Sequence, residues 1–390
     1  MKEEEYINDI DSDLDQDSDF NSNYDSDIEV ENIDLSAQLM DKPFDPTKIK
    51  IETKTQSLDT LIKRISRNSI AMNTEEYFQR KDDLWDEGKQ SRLIESILIS
   101  FPLPAFFFDA TDDNYWLIVD GLQRLSSIRN FCVLKTLRLT NLEFLTHLNG
   151  KGWNDLSEDL HRIIEETQVV IYKILPGTPT DVKFNIFKRI NTGGLTLEPQ
   201  EIRHALFQGT PAKFIAELAE SKAFLRATRK KIRPHRMLDR DFINRFLAFY
   251  LFGYENYQPD LDTFMSKAMA ALYKLDKSQL TKIKYDFDAS MLAAQKVFGK
   301  EAFRKIGLYT NRLSPINKAL FDAMATQLAL ISDIDREKII TDRLSFKQAV
   351  SELITQDDHF FAAITSSTGD RNKVIYRHEM VKQIIKQHSL

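Results

Sequence analysis

The sequence predicts an α+β domain followed by an all-helical region, and three observations carry that expectation. Between residues 42 and 208, short β-rich apolar runs alternate with helical stretches, without a strict strand–helix–strand repeat. From 209 onward, every apolar segment follows the helical period. The 390 residues are 42% apolar and 11% aromatic, with 12 Gly and 11 Pro, which is enough to fill more than one core. A different block comes first. Residues 1–41 repeat Asp-Ser-Asp with few large apolar side chains, cannot bury enough surface to offset ordering entropy, and are expected to form a disordered acidic tail. The expected boundaries are therefore 1–41, 42–208 and 209–390.

In the α+β segment, 48–51 reads as a first strand. Residues 57–67 read as a helix with Leu58, Leu61, Ile62 and Ile65 on one face and Ser57 at the N-cap. Residues 90–100 place Leu93, Ile94, Ile97 and Leu98 on one face and stop at Pro102 and Pro104. Residues 105–108 and 115–119, joined by the polar turn Thr111-Asp112-Asp113-Asn114, form a hairpin candidate. A helix over 123–131 and a Val/Ile/Tyr strand over 168–175 follow. Thr178-Pro179 then opens a helix running to 190, with Pro tolerated in the first turn. Beyond, 211–228, 238–252, 261–273, 279–298, 315–331, 344–355 and 372–387 all fit amphipathic helices. Phe242, Phe246, Phe249, Phe264, Phe287 and Phe321 sit on their apolar faces as core.

The net charge of -6 conceals a division: residues 1–40 hold fourteen acids against Lys2, a net of -13, so the remaining 350 residues are at +7. An acidic tail of this kind either solubilises the chain or competes with nucleic acid for the basic body. One Cys excludes an internal disulfide, and no apolar run approaches the roughly 20 residues of a membrane span, so a soluble, cytoplasmic protein without a membrane partner is expected. The seven His show no metal-ligand or His-Asn-His spacing. Walker A loops and Gly-x-Ser-x-Gly elbows are absent.

The densest signal is Trp116-Leu117-Ile118-Val119-Asp120-Gly121-Leu122-Gln123-Arg124, a strand running into Asp-Gly-x-Gln-Arg and then a helix. Gly121 permits a tight turn, and the first helical N–H groups favour an anion. Arg124 is placed for a bidentate phosphate contact, Asp120 for a divalent cation or a water, and Gln123 to position that water. The same residues also fit a plain strand–turn–helix in which Asp120 caps the helix and Arg124 makes a surface ion pair. A second cluster comprises Arg189, Asn191, Gly193 and Gly194, then Glu201 and Arg203. Gln79, Arg80 and Trp85 form a third. A basic joint, Arg229, Lys230, Lys231, Arg233 and Arg236, is a candidate phosphate-backbone contact, or a solvated linker face.

Together, Phe78-Gln79-Arg80…Trp85…Ser91-Arg92-Leu93, Val119-Asp120-Gly121-Leu122-Gln123-Arg124-Leu125 and Arg189-Ile190-Asn191-Thr192-Gly193-Gly194…Gln200-Glu201-Ile202-Arg203 resemble the N-terminal domain of GmrSD-type modification-dependent restriction proteins. The resemblance implies a ParB/sulfiredoxin-like fold for 42–208, followed by an all-helical continuation. It also implies a nucleoside-triphosphate site that controls DNA cleavage. Asp120, Gln123 and Arg124 would be catalytic, with magnesium at Asp120, and Gly121, Arg80, Arg189, Asn191, Glu201 and Arg203 would contact the nucleotide. The His-Asn-His-type nuclease half of fused members has no match here, so scission would fall to the α+β domain or to a separate nuclease subunit. The expected function is a magnesium-dependent, nucleotide-hydrolysing or nucleotide-gated module acting on DNA in defence. The alternatives are an autonomous magnesium-dependent nickase and a non-enzymatic adaptor.

Overall fold

The computed structural model describes residues 27–29, 31, 46–72, 85–190, 198–307 and 313–389. The chain forms two compact units: Pro43–Leu206, and Phe207–Leu390 together with the N-terminal segment Met1–Lys42.

The first unit is α+β. Its strands are β1 (Ile51–Ser57), β2 (Ile70–Ala71), β3 (Phe106–Asp109), β4 (Trp116–Asp120) and β5 (Gln168–Ile174), in the order β1-β5-β3-β4-β2. The β1/β5 and β3/β4 pairs are antiparallel, while β3/β5 and β2/β4 are parallel. Helices α1 (Leu58–Ser66), α2 (Glu87–Leu98), α3 (Leu122–Ile128) and α4 (Glu158–Glu166) supply one core, in which Leu58, Ile94, Ile97, Leu125 and Ile164 pack with Phe106, Phe108, Trp116 and Ile171. Alternate strand residues Val119 and Ile174 pack instead with Val182, Phe184 and Phe187 of α5 (Thr180–Ile190) and Ile202 of α6 (Pro199–Leu206). The two-residue period thus sends side chains to two separate cores.

Sequence reading found the hairpin, the 168–175 strand and α1, α2 and α5. It placed the first strand too early. Its residues run Thr, Lys, Thr, Gln, an exposed edge without an apolar signal. Ser57 stands at the N-cap of α1 but makes no side-chain cap bond. At α2 the cap is Asp86, whose Oδ1 accepts from Lys89 N at 2.8 Å.

One buried carboxylate braces this unit. Glu95 of α2 accepts backbone N–H bonds from Glu143 (3.0 Å), Phe144 (2.7 Å) and Leu145 (2.7 Å). Burial works to raise its pKa, but these three donors hold it below the ordinary carboxylate value. Its contribution is therefore complete above the unfolded value and is lost as pH falls through the folded one. Glu95→Gln keeps one acceptor and loses the charge. It should cost about 1–3 kcal/mol and flatten the acid limb of the stability profile, measured by urea denaturation at neutral and acid pH.

Among the described residues, the second unit is built from helices: α7 (Thr210–Ala219), α8 (Lys222–Ala227), α9 (Leu238–Phe252), α10 (Leu261–Leu272), α11 (Lys277–Phe298), α12 (Lys318–Ala329), α13 (Asp333–Thr341), α14 (Arg343–Gln356), α15 (Asp358–Thr365) and α16 (Arg371–Ser389). Phe242, Phe246, Phe249, Phe287 and Phe321 are buried as expected. The single helix expected over 211–228 is two, because Ser221 Oγ accepts from Phe224 N at 3.1 Å and starts α8 afresh. None of the described helices is long and apolar enough to cross a membrane.

The expectation of a disordered tail fails for residues 27–29 and 31. Ile28 forms a parallel bridge with Ile316, and Glu31 lies against Arg245 of α9 with both oxygens bonded at 2.9 Å. Buried cations hold what composition alone would leave free.

Candidate functional site

The Asp120–Arg124 turn is built by the sheet. On β3, Phe107 pairs with Asp120 but Phe108 pairs with Ile118, a bulge that leaves Val119 extra on β4. Bulges re-aim the residues beside them, here the Asp120 carboxylate at the strand end. Gly121 follows at φ +99°, and its carbonyl accepts from Leu125 N at 2.8 Å, starting α3. The helix continues into the π-helical turn Arg129–Val133.

Arg124 does not point at an open phosphate pocket. Its guanidinium donates to Pro104 O, to Ala105 O (3.1 Å) and to Asp120 Oδ2 (3.1 Å), and lies 4.6 Å from the centre of the Phe106 ring. Burial lowers its pKa from the ordinary value, with Asp120 acting in the opposite sense. The expected phosphate ligand is here a brace, because two upstream carbonyls compete for its donors. Gln123 is also committed. Its Oε1 accepts from Trp85 N (3.0 Å), Trp85 O accepts from Gln90 Nε2 (2.6 Å), and Gln90 Oε1 accepts from Asn130 Nδ2 (3.0 Å). That chain of bonds ties the Trp85 backbone to α2 and α3.

Asp120 differs from both. Its side chain is 39% exposed, one oxygen is fixed by Arg124, and Oδ1 has no protein partner among the described residues. A carboxylate held on one side and open on the other fits a single magnesium ligand, since magnesium is commonly bound by one or two carboxylates plus substrate phosphates. No group of three or more His, Cys, Asp or Glu among the described residues could hold a metal alone.

Among the described residues, two of the other expected nucleotide residues, Glu201 and Arg203, are buried. Arg203 is fully buried in α6, its Nε donating to Gln200 Oε1 at 2.8 Å and its guanidinium 5.6 Å from the Phe184 ring. A side chain without exposed surface is not a ligand contact in this conformation. Glu201 is buried and its Oε2 accepts from Glu198 N at 2.7 Å, a capping role at the start of α6. Arg189 is exposed near the end of α5. Gln79, Arg80, Asn191, Gly193 and Gly194 lie outside the described residues. In the second unit, Lys230 and Arg233 are exposed, Arg229, Lys231 and Arg236 are half-buried, and Lys231 Nζ sits 3.4 Å from Asp27 Oδ2.

Sequence reading missed a buried pair in the first unit, Lys183 and Asp109, joined at the surface by Thr111. Lys183 Nζ donates to Asp109 Oδ2 at 2.8 Å and to Thr111 Oγ1, while Thr111 N donates to Asp109 Oδ1 at 2.9 Å. Partners more than 70 residues apart leave no local signal. Cys132 is buried and its thiol is pushed up to about 12 by burial, which keeps it protonated and inert.

A mixed sheet feeding two separate cores, with a bulged strand ending in a half-open carboxylate before a glycine turn, defines an α+β domain with one polar strand–turn–helix site. Residues 58–208, nearly the whole of this unit, match the family model for the GmrSD restriction endonuclease, N-terminal domain. The resemblance carried by the motifs thus holds for that segment. No curated protein and no solved structure matches the chain.

Proposed function

We propose that this protein serves in restriction-type defence against foreign DNA, with its α+β unit as a ParB/sulfiredoxin-like module gated by a nucleoside triphosphate and magnesium. The observation supporting this reading is the Asp120 carboxylate, fixed through Oδ2 and open at Oδ1, at a bulged strand end beside a helix start. Asp120 would hold the magnesium, which when bound would supply positive charge against the phosphate oxygens of the nucleotide. Arg124 acts on Asp120 rather than on the ligand: it holds the carboxylate in one orientation and presses the turn against Phe106. Gln123 orders the Trp85 segment next to the turn. Base preference, hydrolysis as against binding, and a separate nuclease subunit are parts of the proposal for experiment to decide.

A second reading, a non-enzymatic adaptor, is favoured by the internal satisfaction of Gln123 and Arg124. A thermal-shift panel of ribo- and deoxyribonucleoside triphosphates, each with and without magnesium, separates the two. At about 100 times its dissociation constant a ligand stabilises by about 2.7 kcal/mol, a rise of several degrees. Asp120→Asn should keep the fold and erase the magnesium-dependent part of that rise. A flat panel with the wild-type chain would leave the turn as a structural brace.

A further inference from the structure

The described acidic residues of the N-terminal segment lie in a built cationic track on the helical unit. Asp27 Oδ2 meets Lys231 Nζ at 3.4 Å. Glu29 accepts from Lys305 Nζ (2.8 Å) and Asn317 Nδ2 (3.1 Å). Glu31 accepts from both terminal nitrogens of Arg245 (2.9 Å each) and from Thr368 Oγ1 (2.7 Å). The backbone adds two bonds, Glu29 N to Ile316 O and Ile316 N to Asp27 O, both 2.9 Å. The donors come from α9, the N-cap of α12 and three separate turns, so the track is assembled by the fold and not by one helix end.

Three features say what this track is shaped for. Its donors are a bidentate guanidinium, two ammonium groups, an amide and a hydroxyl, the set that takes phosphate oxygens. Its acceptors recur at every second residue about the Ile28–Ile316 bridge, and side chains two apart on a β-strand stand about 6.6 Å from one another. That is close to the phosphate-to-phosphate step of a nucleic-acid strand. Its deepest cation, Arg245, is buried with Arg377 and Lys318 nearby against the carboxylates Asp322 and Asp241, so among the described residues the group holds one positive charge more than it neutralises until an anion enters. Buried charge left unpaired is costly, and Glu31 now fills that place.

We propose that this track is a binding site for the phosphodiester backbone of a nucleic-acid strand, and that Asp27, Glu29 and Glu31 occupy it as an intramolecular competitor. The proposal rests on the defence reading only for the identity of the polyanion. It needs no nucleotide, so a flat nucleotide panel leaves it standing.

The test measures anisotropy of labelled single-stranded and duplex oligonucleotides with the full chain. Asp27→Asn/Glu29→Gln/Glu31→Gln should tighten binding about tenfold or more, with a log–log salt slope steeper by about 2 for the single strand, from three contacts at about 0.7 each. Glu29→Pro removes one backbone donor and one carboxylate while leaving Glu31 to neutralise Arg245, and serves if the triple variant unfolds. Adding Lys305→Glu must abolish the gain. Hydrogen exchange on the wild-type chain is the measurement independent of variants: saturating oligonucleotide should strip protection from the Glu29 amide. Unchanged affinity in folded variants, a gain that survives Lys305→Glu, or a Glu29 amide still protected at saturation would each overturn the proposal. In those cases the segment is a structural strap. A response confined to the single strand or to the duplex identifies which form fits.

Discussion

Asp322→Ala should destabilise the helical unit by about 3–5 kcal/mol, the largest effect expected of any single substitution in this chain. Asp322 has no exposed surface and accepts from Arg377 Nε (3.0 Å) and a terminal nitrogen of Arg377 (2.9 Å), with Arg245 at 3.7 Å and His378 Nε2 at 3.5 Å. Removing it strands the buried guanidinium of Arg377 and takes from Arg245 one of its carboxylates, leaving Glu31. Burial acts to raise its pKa, but Arg377, His378 and Arg245 together bring it down to about 2. A folded value below the unfolded one of about 3.9 means that its stabilisation is complete above about pH 4 and is lost as pH falls towards 2. Burial lowers the pKa of His378, which weakens its contribution as a cation beside the two arginines. Urea denaturation followed by circular dichroism reads the loss directly. Tryptophan fluorescence is a control, since Trp85, Trp116 and Trp153 all belong to the other unit. Asp322→Ala/Arg377→Met should recover part of the deficit, because the charges removed were each other's partners. A loss under about 1 kcal/mol for Asp322→Ala would mean that water or relaxed side chains replace it.

That network also marks where sequence reading stops. The hairpin, the glycine turn and most helices were legible because a period of 2 or 3.6 and a cap residue are local signals. The ordering of Glu29 and Glu31 was not, since their partners lie 276 and 214 residues away, and alternating acids with few apolar neighbours carry the composition of a disordered chain. Arg124 was legible only as a pair of options. Four residues after Asp120, a guanidinium either closes an ion pair or reaches outward, and the choice is made by the carbonyls of Pro104 and Ala105, which the motif does not contain. Arg203 and Glu201 were read as site residues because charged side chains beside a glycine loop suggest ligands. Their burial follows from the packing of α6 onto α5, which one amphipathic pattern cannot rank against exposure.

Gly121→Ala should remove about 2–5 kcal/mol from the α+β unit, and its cause can be separated from ordinary backbone strain. At φ +99° an L side chain is disfavoured by about 1–2 kcal/mol wherever it sits. Here a Cβ would also lie 2.6 Å from Phe106 Cδ1, 3.1 Å from Phe106 Cε1 and 3.2 Å from a terminal nitrogen of Arg124. Phe106 is fully buried, so relief requires repacking of the core at about 1–3 kcal/mol. Gly150, in the same unit at φ +82° with nothing within 4 Å of its Cβ position, is the matched control: Gly150→Ala pays the backbone term alone. The difference between the two losses measures how tightly Phe106 and Arg124 close on the turn, and thermal melts of both variants give it. If Arg124 yields rather than Phe106, Asp120 loses its brace. The magnesium-dependent nucleotide response proposed for the turn should then fall together with stability, whereas Gly150→Ala should leave it intact. Equal losses in the two variants would show that the aromatic ring gives way freely and that the close approach at Gly121 has no role in fixing the Asp120 carboxylate.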